Sequence, residues 1–149
     1  VRFPPPLMLL LVALLGVGLD YFFPLRFIPP SWNWWRWIFG SSITTAAVAI
    51  ILFCAISFKK AATNIQPWKE STAMILSGPY AYSRNPIYFC FNLILGGFSV
   101  LLNSLWPLLF MPLLVFLLTV FVIEKEEQYL ASKFGSDYSH YKQNVRRWI

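Results

Sequence analysis

The sequence predicts an all-α integral membrane protein with four transmembrane helices and an amphipathic C-terminal helix on the cytoplasmic side. Three observations predict it. Of the 149 residues, 58% are hydrophobic and only 12% charged, about half the charged fraction of a soluble domain. Four apolar stretches approach the roughly 20 residues needed to cross a hydrocarbon core about 30 Å thick. Ten of the twelve lysines and arginines fall on one side of those stretches, the bias that marks the cytoplasmic face. The same composition excludes a disordered chain, which is charged and poor in apolar residues. Cys54 and Cys90 lie inside apolar runs and His140 is the single histidine, so zinc-ligand spacing and a disulfide framework are both missing and no metal is expected. A net charge of +6 in so apolar a chain points to anionic lipid headgroups rather than to nucleic acid.

The predicted spans are Leu7 to Phe23, Trp37 to Phe58, Pro86 to Leu102 and Leu105 to Ile123. The first follows Arg2 as a signal peptide would. However, Asp20, Tyr21, Phe22, Phe23 and Pro24 stand where small cleavage-site residues belong, so it reads as a retained span. Pro29, Pro30, Trp32, Trp34, Trp35 and Trp37 form an interfacial aromatic belt ahead of the second span. Only Asn103 and Ser104 separate the third and fourth, which makes them a tight helical hairpin. Pro107 and Pro112 are expected to bend the fourth or to start it late. With four spans, Arg2, Lys59, Lys60, Lys69, Arg84, Lys125, Lys133, Lys142, Arg146 and Arg147 share one side, against Arg26 and Arg36 on the other. Both ends of the chain are therefore expected in the cytoplasm, and residues 1–149 read as one domain.

The chemistry is expected in the cytoplasmic segments. Gly78-Pro79 is a turn signal, and Asn85-Pro86 reads as an N-cap followed by proline at the first helical position. Arg84 and Asn85 then sit at a helix N-terminus, where free amides and the helix dipole favour an anionic group. At about 100° per residue, Ile123, Glu127, Leu130 and Phe134 share one stripe, so Glu127 lies at the centre of an apolar face and must be paired or desolvated. Glu126 flanks that face and Lys125 points away from it. Gly135 reads as a helix C-cap, and Ser136 or Asp137 can start a short helix carrying Tyr138, Tyr141 and Val145. That helix is basic and aromatic, suited to lie flat on the cytoplasmic interface, and it could also cover a site between the last two spans.

The order Gly78-Pro79-Tyr80, Arg84-Asn85-Pro86-Ile87-Tyr88, a hairpin, Glu126-Glu127-Gln128-Tyr129-Leu130, Phe134-Gly135, Tyr138, Tyr141 and Val145-Arg146-Arg147-Trp148-Ile149 resembles the isoprenylcysteine carboxyl methyltransferase and phospholipid methyltransferase superfamily. The opening Phe3-Pro4-Pro5-Pro6 and the Phe23-Pro24 exit resemble its small bacterial members. The resemblance implies an integral membrane enzyme of the inner membrane that takes a methyl group from S-adenosylmethionine. The cofactor would be held by the last two helices and the C-terminal segment. It implies Glu126 and Glu127 on the cofactor's ribose hydroxyls or ammonium, with Gly78, Tyr80, Asn85 and Tyr88 completing the pocket. Arg84 and Glu127 are the implied catalytic pair, with Arg84 orienting the acceptor. That acceptor would be lipophilic, either the carboxylate of a prenylcysteine-like molecule or a lipid head group. Asn85 stands where the family commonly has histidine and Cys90 where it commonly has glycine, so an imidazole proton shuttle is lost. Two other classes are alternatives: a four-span transporter using Asp20 as an intramembrane coupling carboxylate, and, by the resemblance of sterol reductases to these methyltransferases, a nicotinamide-dependent reductase of similar fold.

Overall fold

The computed structural model describes residues 4–66, 69 and 71–149. Arg2, counted above for orientation, and Phe3 of the opening motif lie outside the described residues. Among the described residues all regular structure is helical. α1, Pro5–Phe22, starts with proline in its first turn, where a missing N–H costs no hydrogen bond. A 3-10 turn, Pro30–Trp32, leads into α2, Asn33–Lys60. α1 and the stretch Pro30–Lys60 are each long and apolar enough to cross a membrane, and α3, Pro86–Leu102, is a shorter apolar helix.

The fourth apolar stretch is not one regular helix. It divides into α4, Leu105–Leu109, α5, Met111–Leu118, and a π turn, Thr119–Ile123, which runs on into α6, Glu124–Asn144. Pro112 explains the first break, because it has no N–H for the Leu108 carbonyl and its ring crowds that turn. Pro107 lies near the start of α4 and is tolerated there. The π turn carries an additional residue and resets the direction in which α6 projects its side chains.

α3 is the central helix. Its residues Tyr88, Phe91 and Leu95 join Met8 and Val12 of α1, Leu114 and Leu118 of α5, and Val122 and Ile123 of the π turn in one core cluster. α2 meets α3 through small residues. A Cβ on Gly40 would lie 3.0 Å from the Gly97 carbonyl, and one on Gly97 would run into Thr44, so the two backbones approach as small-residue stripes allow in lipid-solvated helices. A Cβ on Gly16 would likewise press on Pro107, 3.1 Å away, where α1 meets α4. α1 buries only the stripe Pro5, Met8, Val12 and Gly16. Leu10, Leu11 and Leu14 face outward, as do Ile38, Leu52 and Phe53 on α2. So large an apolar surface would be a liability in water and suits hydrocarbon. Of the tryptophans assigned to the aromatic belt, Trp32, Trp34 and Trp37 are exposed, and the rings of Trp34 and Trp35 stack at 4.0 Å.

One end of the bundle is closed by Asn103, which takes the left-handed conformation at φ 50° between α3 and α4. Its Oδ1 accepts from the backbone amides of Phe27 (3.1 Å) and Ile28 (2.8 Å), while its Nδ2 donates to the Ile28 carbonyl (3.0 Å). Arg26 reaches the carbonyls of Leu102 and Asn103, each at 3.1 Å, and pairs with Asp20 at 2.9 Å. Asp20, considered above as an ion-coupling carboxylate, is thus held by a cation from its own connecting loop.

Candidate functional site

The opposite end is built from the segment before α3, the start of α6 and the C-terminal tail. Gly78 has φ +63°, and a Cβ there would lie 2.8 Å from the Phe53 ring. Glycine therefore satisfies both the turn and the close approach of α2. The 3-10 turn Gly78–Ala81 carries Tyr80, whose ring meets the edge of Phe58 at 5.6 Å. Proline does occupy the first turn of α3, but Asn85 does not cap that helix with its side chain. Its Nδ2 donates instead to the Arg147 carbonyl at 2.9 Å, and its backbone amide donates to Ser83 Oγ at 3.1 Å. The tail brings a backbone acceptor that needs a donor, and Asn85 Nδ2 supplies it. The Arg84 amide likewise donates to the Arg146 carbonyl at 3.0 Å.

Arg84 points across to α6. Its Nη1 lies 3.1 Å from Glu127 Oε1 and donates to the Tyr138 hydroxyl at 3.5 Å, while its buried Nε has no partner. Glu127 is therefore paired, as a carboxylate on an apolar stripe must be. Arg147 forks across it as well, Nε to Oε1 at 3.0 Å and Nη2 to Oε2 at 2.8 Å. These bonds push the Arg147 pKa further up. Glu126 turns toward α3 and accepts a hydrogen bond from the Tyr88 hydroxyl at 3.0 Å. Burial, reinforced by the charge of Glu127 and opposed by the Tyr88 hydrogen bond, pushes its carboxyl up to about 7. Glu124 and Lys125 are exposed.

Gly135 interrupts α6 with φ 50° and ψ −116°, a combination that favours glycine, and the limb beyond it folds back over the site. Tyr138 is 3% exposed, and the Tyr141 hydroxyl donates to the Tyr80 carbonyl at 2.7 Å. Burial pushes up the pKa values of Tyr80, Tyr138 and Tyr141, so their hydroxyls stay neutral at physiological pH. The segment packs over the cleft through Tyr138 and Tyr141. Val145, expected on the helix, lies beyond it in extended conformation at φ −124°, because the chain there turns to lie against residues 83–85. Trp148 packs on the core cluster.

The result is a narrow cleft that, with the open solvent at its mouth, encloses about 550 Å³. Tyr80, Arg84, Asn85, Glu126, Glu127 and Tyr138 line it together with Phe58, Leu130, Tyr141, Ser71, Ala73, Met74 and Ile75. Two of the sequence-derived residues stand behind the wall. Gly78 shapes the turn, and Tyr88 acts on the cleft through Glu126. The segment 71–75 and Arg147 were not foreseen. Segment 71–75 has no periodicity and is held from outside itself, by Ser71 N donating to the Tyr129 hydroxyl (3.1 Å) and by the Thr72 amide donating to Thr63 Oγ1 (2.8 Å). Among the described residues, no group of three or more His, Cys, Asp or Glu side chains is placed to hold a metal ion.

A family model described as phospholipid methyltransferase matches residues 35–137, from the aromatic belt to the residue before Tyr138. An uncharacterized protein of Haemophilus influenzae is 40% identical over 65 residues, which are 42% of this chain and the whole of that protein. No solved structure matches. The chain belongs to the phospholipid methyltransferase family, which supports methyl transfer at a membrane and lends no support to ion transport or nicotinamide-dependent reduction.

Proposed function

We propose that this member of the phospholipid methyltransferase family is an S-adenosylmethionine-dependent enzyme that methylates a lipophilic acceptor at the cytoplasmic face of the bacterial inner membrane. The chain is one domain whose four apolar stretches cross the bilayer, with both ends in the cytoplasm. That orientation puts the Arg26 loop and Asn103 at one membrane face and the cleft at the other. The distribution of basic residues and the gathering of Arg84, Glu127 and the tail at a single end support it.

The observation that carries the reading is the buried Arg84, with its Nε unpartnered at the wall of a cleft that also holds two carboxylates. An orphaned guanidinium N–H in a water-poor site is a place for an acceptor oxyanion. Glu126 and Glu127 offer negative charge to a cationic donor. S-adenosylmethionine supplies an electrophilic methyl group on a sulfonium. The residues around it then need only align two partners and exclude water. Tyr138 and Tyr141 cover the cleft, Arg84 orients a carboxylate or phosphate, and Tyr80 and Asn85 shape the floor. A carboxylate acceptor requires no base. An ammonium acceptor must first lose a proton, and Glu126, pushed up to about 7, is suited to take it.

The test incubates the detergent-solubilised chain with isotopically labelled S-adenosylmethionine and membrane extract, followed by mass spectrometry of lipids and prenylated peptides. Label in one lipophilic product is expected. Absence of both labelled product and donor binding by calorimetry would sink the reading.

A further inference from the structure

This inference rests on the donor reading above. Glu127 receives two guanidinium groups whose settings differ. The Arg84 side chain is 9% exposed and belongs to the turn that starts α3. The Arg147 side chain is 35% exposed and lines a second, outer groove of about 700 Å³, open solvent at its mouth included, which shares Glu127 and Tyr138 with the cleft. Glu124, Gln128, Ser139 and Lys142 share the lining of that groove. The tail that carries Arg147 is docked by its backbone and its last aromatic residue. The Arg84 amide donates to the Arg146 carbonyl, Asn85 Nδ2 donates to the Arg147 carbonyl, and Trp148 packs on the core. The fork to Glu127 is therefore separable from the position of the tail.

A cationic ligand approaching Glu127 meets one carboxylate and two guanidiniums. A third positive charge there is opposed unless one of the first two leaves. Arg84 is nearly enclosed, and stripping its partner would strand a buried charge. Arg147 has an alternative, because Glu124 lies one helical turn before Glu127 and lines the open groove on the Arg147 side. We propose that Arg147 is an internal counter-cation that occupies the Glu127 carboxylate in the empty enzyme and cedes it to the cationic group of the methyl donor, swinging out toward Glu124. The donor site is self-blocked, and donor affinity is lowered by the fraction of time the fork is closed.

The exchange reverses the sign expected of a supporting residue. Calorimetric titration of S-adenosylmethionine into the full chain in detergent compares wild type with Arg147→Gln, Arg147→Lys and Glu124→Gln. Arg147→Gln is expected to bind the donor about five- to ten-fold tighter, since the competitor is gone. Arg147→Lys, which keeps the charge without the fork, falls between the two. Glu124→Gln is expected to weaken binding a few-fold in the wild-type background, and to have no effect once Arg147 is glutamine. If Arg147→Gln does not fold, Arg147→Lys decides on the same criterion. Equal or weaker donor binding by the variant that folds overturns the exchange while wild-type binding keeps the donor reading. Absence of donor binding in wild type and variants alike overturns both.

Discussion

The two ends of the bundle use the same chemistry to opposite effect. At one end Arg26 pairs with Asp20 and Asn103 bridges two loops. At the other Arg84 pairs with Glu127 and Asn85 bridges a turn and the tail. Arg26 is half exposed and finishes on the carbonyls at the C-terminal end of α3, where a cation is favoured by the helix dipole. Asn103 exchanges three hydrogen bonds with Phe27 and Ile28. Apart from the Arg26 to Asp20 pair, polar side chains there terminate on backbone, which closes the end. At the Glu127 end they meet each other across a cleft, with Arg84 Nε unpaired and the Glu126 carboxyl pushed up by burial. Mostly backbone partners make a seam, whereas mostly side-chain partners around empty volume make a site.

The comparison breaks most sharply at its two centres. Glu127→Gln leaves Arg84 and Arg147 facing each other without a counter-charge and removes the anion offered to the donor. A charged hydrogen bond lost here costs about 1.5 to 3 kcal/mol, roughly ten- to a hundred-fold in S-adenosylmethionine affinity by calorimetry. Asp20→Asn at the closed end should leave that affinity unchanged. If both substitutions weakened binding alike, the two ends would not differ in kind. Asn103→Ala should cost about 2 kcal/mol of stability, from three hydrogen bonds and a left-handed residue with a Cβ. Asn103→Gly, which keeps the conformation, should recover part of it. Thermal unfolding checks both, and donor affinity should not move with either.

The difference between the ends also marks what the sequence made legible. The hairpin at Asn103-Ser104 and the proline that opens α3 follow from local rules, because turn and cap preferences involve neighbours in the chain. The pairing of Glu127 was legible as a need, since a carboxylate on the Ile123, Leu130 and Phe134 stripe must find a cation. Its partner Arg147 was not, because the tail leaves helical geometry at Val145 and no periodicity places a residue after that. The π turn was equally hidden: Thr119–Ile123 reads as ordinary apolar helix. Asn85 was placed correctly and given the wrong partner, since a cap is a local inference and the Arg147 carbonyl is 62 residues away.

Arg84→Lys sharpens the comparison within the site. Lysine keeps the charge opposite Glu127 but loses the planar fork and the buried, unpartnered Nε. Turnover should fall about ten-fold, the equivalent of 1.4 kcal/mol. Donor affinity should stay within a few-fold. The same change at Arg26, which donates to carbonyls rather than to an acceptor, should leave turnover alone. A collapse of donor affinity in Arg84→Lys would place Arg84 on the donor instead of on the acceptor.

The smallest expected effect concerns pH and separates Glu126 from Glu127. Burial lifts the Glu126 carboxyl from its ordinary 4.5 to about 7, with the charge of Glu127 adding to the rise and the Tyr88 hydroxyl opposing it. Between those values the folded chain keeps a proton that the unfolded chain releases. Ionisation therefore costs stability, which falls as pH rises from about 4.5 to about 7 and then levels off. A cationic donor reverses the preference, since it favours the ionised carboxylate. Donor affinity should accordingly rise a few-fold between about pH 6 and 8. Tyr80, whose hydroxyl burial pushes up, stays neutral throughout this range and cannot supply the titration. Glu126→Gln should flatten the affinity profile at every pH while leaving the Arg147 to Glu127 fork in place. Calorimetry at the two pH values decides it, because a slope that survives in Glu126→Gln would assign the titration to another group and return Glu126 to a purely structural contact with Tyr88.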